Sequence, residues 1–449
     1  MRPSLNRSLN YNTQLVEENT VPNDTPVLEP DHQTAIPRNW LANYLPMGIS
    51  QILSIFGSSI VQFAMIWYLT EQTGSATFLA MASFVGQIPQ VLLGPFAGAL
   101  VDRWNRKLVM LFSDGLVALV TLVLIFLFAI EQIQAWHILV ALFLRSLFGS
   151  FQYPAMRASV SLMIPKEHLA RLGGINQAVY GLLNIVSPPL GALLISRWKM
   201  HEVMMVDVVT AGLAIVLLML VRVPQPAAPA VKKPLTPASL LDDVRAGLRY
   251  AWQWSGMFKL LIMAALLNMV LAPPGSLLPL LISKVYNRGA ADLAVVESAF
   301  GIGVVAGGVL LGVWGGFKRR VYTVMMGITG MGLGVMMIAL AGREQFNLVV
   351  LGMGLMGLLN AFANGPLGAI VQTKVAPEMQ GRVFTVMSSL AGMAAPIGML
   401  FAGPLADRIG IQPMYFIGAL ACIGIGVAGF LLPDVRTLDS QEPGGTDGD

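Results

Sequence analysis

The stretch Gly94-Pro-Phe-Ala-Gly-Ala-Leu-Val-Asp-Arg-Trp-Asn-Arg-Lys107 joins two long apolar runs and compresses an acid, three cations and two glycines into one turn. Loops between membrane helices often collect glycine and basic residues. Here the acid and the cations also keep set spacings, Gly98-x-Leu100-x-Asp102-Arg103-x-Asn105-Arg106-Lys107, which a merely solvated turn does not require. Asn105 suits such a turn because Asn tolerates a left-handed backbone.

The runs on either side set the class. Hydrophobic residues make up 55% of the chain and charged residues 12%, about half the charge of an ordinary soluble domain. Apolar runs of about 18 residues or more recur, each long enough to cross a ~30 Å hydrocarbon layer. The chain reads as an all-α polytopic membrane protein. Twelve spans are expected at 43–70, 77–101, 107–130, 135–160, 172–196, 203–222, 257–283, 293–316, 321–341, 346–374, 382–406 and 412–432.

Several function classes fall away. Cys422 is the only cysteine and lies inside the last run, and four scattered histidines lack ligand spacing, so neither a disulfide framework nor a metal site is expected. No cofactor is expected either. There is no nucleophile–base pair to suggest an enzyme and no nucleotide-binding loop to suggest an ATP-driven pump. The net charge of +4 resides in short loops between spans, which points to membrane orientation rather than nucleic acid. With both termini in the cytoplasm, only six of the 28 Lys and Arg fall in outer loops (Arg197, Lys199, Lys284, Arg288, Arg343 and Arg408). A multi-pass membrane protein with cytoplasmic termini follows.

The chain divides into a polar tail (1–42), a six-span half (43–222), a linker (223–256), a second half (257–432) and a second tail (433–449). Both tails read as flexible. The linker opens on Pro224, Pro226, Pro229 and Pro234 and continues as an amphipathic helix from Thr236, either at the membrane interface or packed beneath the bundle. The halves repeat. Pro154 and Pro165 are matched by Pro366 and Pro377, Arg171 by Arg382, and Pro189/Gly191 by Pro396/Gly398, in the same order. The counterpart of the opening stretch, Gly312-Val-Trp-Gly-Gly-Phe-Lys-Arg-Arg320, keeps the cations and lacks the acid.

The opening stretch resembles the loop 2–3 signature of the major facilitator superfamily, with Asn105 where that family usually has Gly. Gly57-Ser-Ser, Thr73-Gly-Ser-Ala76, Pro95-Phe-Ala-Gly-Ala-Leu-Val-Asp-Arg-Trp104 and Gln372-x4-Pro377-x3-Gly381-Arg382-Val383-Phe384 are similar to its DHA3 drug-export branch, which includes macrolide efflux proteins and a siderophore exporter. The resemblance covers about residues 43–432. It implies two pseudo-symmetric six-helix bundles in a bacterial inner membrane and alternating-access export of amphipathic small molecules, drug- or macrolide-like, in exchange for protons and by a monomer. Export of a self-made siderophore or natural product is the alternative, and uptake on the same scaffold a more distant one.

The resemblance also implies that Asp102 faces the start of span 11 near Gly381 and Arg382. A carboxylate there meets a helix dipole and its free N–H groups, a contact that would hold the cytoplasmic side shut. Gly94 and Gly98 would permit close helix approach, and Arg103, Arg106 and Lys107 are candidate partners of Asp102 or simply positive-inside cations. Arg145 lies ten residues into span 4, about 15 Å deep, and in Arg145-Ser-Leu-Phe-Gly149 it resembles the span 4 signature linked to proton coupling. It is either a coupling residue or a structural cation hydrogen-bonded to carbonyls. Asp114 and Asp207 are the acids expected to exchange protons. Asp114 alternatively joins the Asp102 network, and Asp207 sits near enough to the outside to be partly hydrated. Glu297 is a weaker candidate. Gln51, Gln62, Trp67, Tyr68, Asn268 and Asn360 are expected to line a substrate cavity. Pro189, Gly191, Pro396 and Gly398 mark either hinges or static bends in spans 5 and 11.

Overall fold

A computed structural model describes residues 40–101, 103–225, 249, 252, 254–375 and 377–438. Twelve of its helices are long and apolar enough to cross a membrane. They are α1 (Trp40–Thr73), α2 (Ala76–Val101), α3 (Arg106–Ala129), α4 (Ala135–Met163), α5 (Lys166–Arg197), α6 (Met200–Leu220), α7 (Ser255–Leu280), α8 (Ala290–Trp314), α9 (Arg320–Leu340), α10 (Phe346–Lys374), α11 (Pro377–Ile409) and α12 (Ile411–Leu431). No strand occurs among the described residues. An even number of crossings puts Trp40 and Leu431 at one end of the bundle, here the terminus end. The other is the far end.

Local chemistry sets the boundaries. Asn105 caps α3 by accepting from the Leu108 N–H at 3.2 Å, with φ −68°. Its expected left-handed role is therefore corrected: it serves as an ordinary N-cap. Gly315 ends α8 at φ +78°, and the α1–α2 turn passes through Gly74 at φ +54°, conformations that glycine adopts without a steric penalty. The helices α5 and α11 begin at residues 166 and 377, several residues before their expected spans, because polar turns can continue a helix beyond the hydrocarbon layer.

The helix pairings repeat. In the first half α1 packs on α5 and α6, α2 on α4, and α3 on α4 and α6. Adding six to each number gives the pairings of the second half: α7 with α11 and α12, α8 with α10, and α9 with α10 and α12. The principal contacts across the halves, α2 with α11 and α5 with α8, exchange under the same operation. The chain therefore forms two six-helix bundles related by a pseudo-twofold.

The paired landmarks fall at equivalent crossings. A Cβ on Gly191 of α5 would come 2.8 Å from the Phe63 ring on α1, and one on Gly398 of α11 would overlap the Met269 carbonyl on α7. Both glycines thus let backbones approach, which supplies dispersion contact where lipid offers no hydrophobic drive. Their helices run unbroken through Pro188, Pro189 and Pro396. Pro189 is exposed and Pro396 buried.

The start of the expected C-terminal tail is docked instead. Pro433–Arg436 forms a short α13. Val435 and Leu438 are fully buried against Met257 and Val321, so apolar burial extends past the last span. Asp434 pairs with Lys259 and accepts from Ser255 at 2.6 Å, tying this turn to the start of α7. Lys259 is the main cause of a carboxyl held below its usual range. The expected linker helix and most of both tails lie outside the described residues.

Candidate functional site

Two polar layers cross the first bundle. In the deeper one, Arg145 of α4 ion-pairs with Asp207 of α6, and both side chains are buried, 8% and 1% exposed. The Thr121 hydroxyl on α3 accepts from Arg145 and donates to Asp207 Oδ2 at 2.6 Å. Ser58 on α1 donates to Asp207 Oδ1 at 2.8 Å. Four helices meet in one network, and Asp207 is fully supplied with donors rather than partly hydrated as its position suggested. An unpaired charge at this depth costs several kcal/mol, so mutual neutralisation is what permits burial. Gly57 makes room for it. A Cβ there would overlap the Thr210 hydroxyl and sit 3.2 Å from the Asp207 Cα.

The second layer is nearer the terminus end. Asp114 Oδ1 on α3 accepts from Ser54 of α1 at 2.6 Å and from the Gln152 amide of α4 at 2.7 Å. The same Gln152 amide donates to Gln51 Oε1 at 3.3 Å. Asp114 is 2% exposed, and its Oδ2 has no hydrogen-bond partner, nor does Gln51 Nε2. Neither described partner is a cation, so the two buried acids differ in kind. Asp207 is held as a carboxylate; Asp114 is held by neutral donors.

Gln51 opens onto a cleft between α1, α4 and α5, lined among others by Tyr44, Met156, Asn176 and Tyr180. Tyr44 bridges to Asn176 at 3.2 Å. A second cleft lies in the other bundle between α7, α9, α10 and α11, where Asn268 and Asn364 stand among Leu260, Met263, Leu267 and Met387. Both clefts are largely apolar with a few amide or phenol groups, a lining suited to amphipathic ligands. Gln62 is exposed on α1, on the helix face that carries Ile52 and Ile55. Asn360 contributes its carbonyl to the Asn364 amide at 3.0 Å, and Asn364, one turn on, reaches the cleft.

Other expected wall residues lie elsewhere. Trp67 is buried in the far-end core, donating to Glu71 at 2.8 Å. Tyr68 packs edge-on against Phe128, centroids 4.9 Å apart. Both brace α1 instead of lining a cleft, because their rings turn toward neighbouring helices.

Arg106 and Lys107 of the opening stretch are anchored in their own bundle. Arg106 Nη1 donates to the Ala158 carbonyl of α4 at 2.6 Å. Lys107 donates to the Met219 and Val221 carbonyls ending α6, at 2.8 and 2.9 Å, where a cation suits the helix dipole. The repeat counterpart of Arg106 behaves as Arg106 does, Arg320 of α9 donating to Ala369 and Thr373 of α10 at 3.3 and 3.1 Å. Arg103 is exposed in the turn after α2. Asp102 and the side chains of Gly381 and Arg382 lie outside the described residues. No described residue approaches within 4 Å of a Cβ placed on Gly94 or Gly98.

The residues that the sequence did not single out are Ser54, Ser58, Thr121, Gln152 and Asn364. Ser54 and Ser58 do share a helix face with Gln51 and Gln62, at spacings of three and four. No group of three or more His, Cys, Asp or Glu that could hold a metal occurs among the described residues.

The sequence profile described as Major Facilitator Superfamily matches residues 47–317 and 260–447. Macrolide efflux protein A of Streptococcus pyogenes is 32% identical over 401 residues, 89% of this chain and 98% of that protein. Multidrug efflux pump Tap of Mycolicibacterium fortuitum is 29% identical, covering 85% and 94%. Among solved structures, a POT family transporter in complex with 5-aminolevulinic acid matches with TM-score 0.68 and 13% identity over 88% of this chain and 96% of that one. The nucleoside transporter NupG matches with TM-score 0.60 and 14% identity over 85% and 98%. These structures share the fold. With twelve spans, two pseudo-symmetric bundles and these relatives, the chain is a multi-pass membrane transporter, not an enzyme, and belongs to the major facilitator superfamily, in its macrolide-efflux-like branch.

Proposed function

We propose that this protein exports amphipathic drugs of the macrolide kind across the bacterial cytoplasmic membrane, in exchange for protons and by alternating access. The observation that carries the export reading is the near full-length similarity to proteins named macrolide and multidrug efflux pumps. The apolar clefts with sparse amides support it, since large amphipathic molecules bind chiefly through apolar area and a few polar anchors. The terminus end is taken as cytoplasmic because only six of 28 Lys and Arg fall in the opposite loops.

Proton coupling is assigned to the first bundle, whose two buried acids take different roles. Asp114 is the exchanging group: it is buried, lacks a described cation partner and neighbours the cleft through Gln51 and Gln152. The buried charged groups on the helices packed around it are Asp207 on α6 and Arg145 on α4, already joined to each other. Uncovering Asp114 to one side and then the other would carry one proton per cycle against the drug. Asp207 and Arg145 then serve as the fixed frame.

Purified protein in proteoliposomes tests both claims. A macrolide should move against its gradient when a pH gradient is imposed and not under a Na⁺ gradient alone. Absence of macrolide flux under any gradient overturns the export reading; Na⁺-driven flux overturns the proton assignment.

A further inference from the structure

We propose that Asp407 is a far-end latch, closing the transporter across the bundle interface by capping α2. It lies on the last turn of α11, in the second bundle, yet its contacts are with the first. Oδ1 accepts from the Ala76 N–H at 2.8 Å, and Oδ2 accepts from the Thr77 N–H and the Ser75 hydroxyl, both at 3.0 Å. Ser75 itself accepts from the Phe78 N–H at 3.4 Å. The first turn of a helix leaves its N–H groups without intrahelical partners, and its positive dipole end favours a carboxylate. Asp407 supplies from the opposite bundle what a local cap supplies in an ordinary helix.

The surrounding packing belongs to the same closure. A Cβ on Gly403, one turn before Asp407, would come 2.7 Å from Ala80 and 2.9 Å from the Thr77 Cα. The α2 and α11 backbones therefore touch at this end. The Lys284 ammonium, in the turn that follows α7, lies 2.7 Å from where a Cβ on Gly74 would be. Glycine at 74 leaves room for that second crossing between bundles. Farther along the α2–α11 pair, a Cβ on Gly392 would meet Val91 at 3.5 Å, an ordinary van der Waals contact.

The placement completes a reciprocal arrangement. The resemblance puts Asp102, at the C-terminal end of α2, against the start of α11. Asp407, at the C-terminal end of α11, caps the start of α2. Were Asp102 to meet that expectation, rocking the bundles would trade one carboxylate contact for the other along the same helix pair. This rests on the alternating-access reading above.

The test uses the full chain in proteoliposomes, spin-labelled at Gln132→Cys and Arg343→Cys. Both positions are exposed in far-end loops of opposite bundles, and Cys422 is fully buried, so it can remain. Electron–electron distance distributions should contain a far-end-closed and a far-end-open population. Asp407→Asn should raise the ratio of open to closed by about fivefold, the scale of losing a helix cap. Thr77→Pro, which removes one donor in a first turn that tolerates proline, should shift it the same way by less, and Asp407→Glu should stay near wild type. An unchanged ratio in both Asp407→Asn and Thr77→Pro overturns the latch. A single population in wild type and every variant, with and without a pH gradient and macrolide, overturns alternating access instead.

Discussion

The two bundles share one pattern of helix pairing and differ in what fills it. The first buries Arg106, Asp114, Arg145 and Asp207 together with Ser, Thr and Gln. In the second, no described charged residue is fully buried, Glu297 of α8 being partly so. Its buried polar groups are few, among them Thr323 and the phenols of Tyr286 and Tyr415, which donate to the Ala341 and Pro274 carbonyls. That half is joined by glycine instead. A Cβ on Gly303 or Gly307 of α8 would overlap backbone carbonyls of α10 at Gly354 and Leu358, and one on Gly327 of α9 would meet the Ala363 backbone nitrogen at 2.5 Å. Duplication kept the scaffold and let the interiors diverge. A polar interior at membrane depth is expensive and is retained where charge must be handled; a dry glycine-packed interior is cheaper and stiffer. The proton exchange proposed above accordingly falls to the first bundle, with the second as the body against which it would move.

The comparison breaks most easily at Arg145. Arg145→Ala leaves Asp207 buried without its cation and should cost about 3–5 kcal/mol of stability along with coupled transport. The paired change Arg145→Met with Asp207→Leu should restore most of the melting temperature in detergent and none of the proton-driven flux. If the pair restores flux, the layer is only structural.

Next comes Asp114→Asn. It keeps shape and hydrogen-bonding capacity, so thermal stability should change by less than about 1 kcal/mol while pH-driven export falls at least about tenfold. Drug exchange with no gradient should persist, because it needs no proton. Retained pH-driven export would move the exchanging group elsewhere, with Glu297 the next to examine.

In the second bundle the sensitive positions should be glycines. Gly307→Val forces a branched side chain into the Leu358 carbonyl and should destabilise by about 1–3 kcal/mol. Gly308→Ala, where no described residue lies within 4 Å of the new Cβ, should be neutral or slightly stabilising by helix propensity. Equal effects in a thermal-shift assay would remove the packing argument.

The smallest effect belongs to the docked turn after α12. The Lys259–Asp434 pair is more than a third exposed on both sides, so Asp434→Asn should cost well under about 1 kcal/mol. The Asp434 carboxyl is held below its unbound value of 3.8 by Lys259. Its contribution is present above that value and lost as pH falls through the folded one. The wild-type minus variant difference in melting temperature should therefore vanish at low pH.

The twelve crossings were legible because bilayer thickness imposes a length on every apolar run, whatever the neighbours. The repeat was legible because Pro-x-Gly at 189–191 and 396–398 marks the same crossing in both halves. The sequence likewise exposed Arg145, Asp114 and Asp207, since ionisable residues stand out in hydrocarbon. Their partners stayed hidden. Ser58 lies 149 residues from Asp207 and Thr121 lies 86 away, and hydroxyls are common in membrane helices for local reasons. Trp67 and Tyr68 were read as cavity walls because a composition pattern does not say which way a helix is turned. Asp407 lies one residue past the expected end of its span at 406, and nothing along the chain marks its partners about 330 residues away.

What the chain by itself determined is therefore its class, its number of crossings and its duplication, all of which follow from solvent and periodicity along one dimension. Only the tertiary structure decided which acid is neutralised by an arginine, which is left with neutral donors, and which caps a helix in the other bundle. Those outcomes depend on how helices distant in sequence are rotated and packed against each other, and hydrogen bonds and ion pairs act over a few ångströms in space irrespective of separation along the chain.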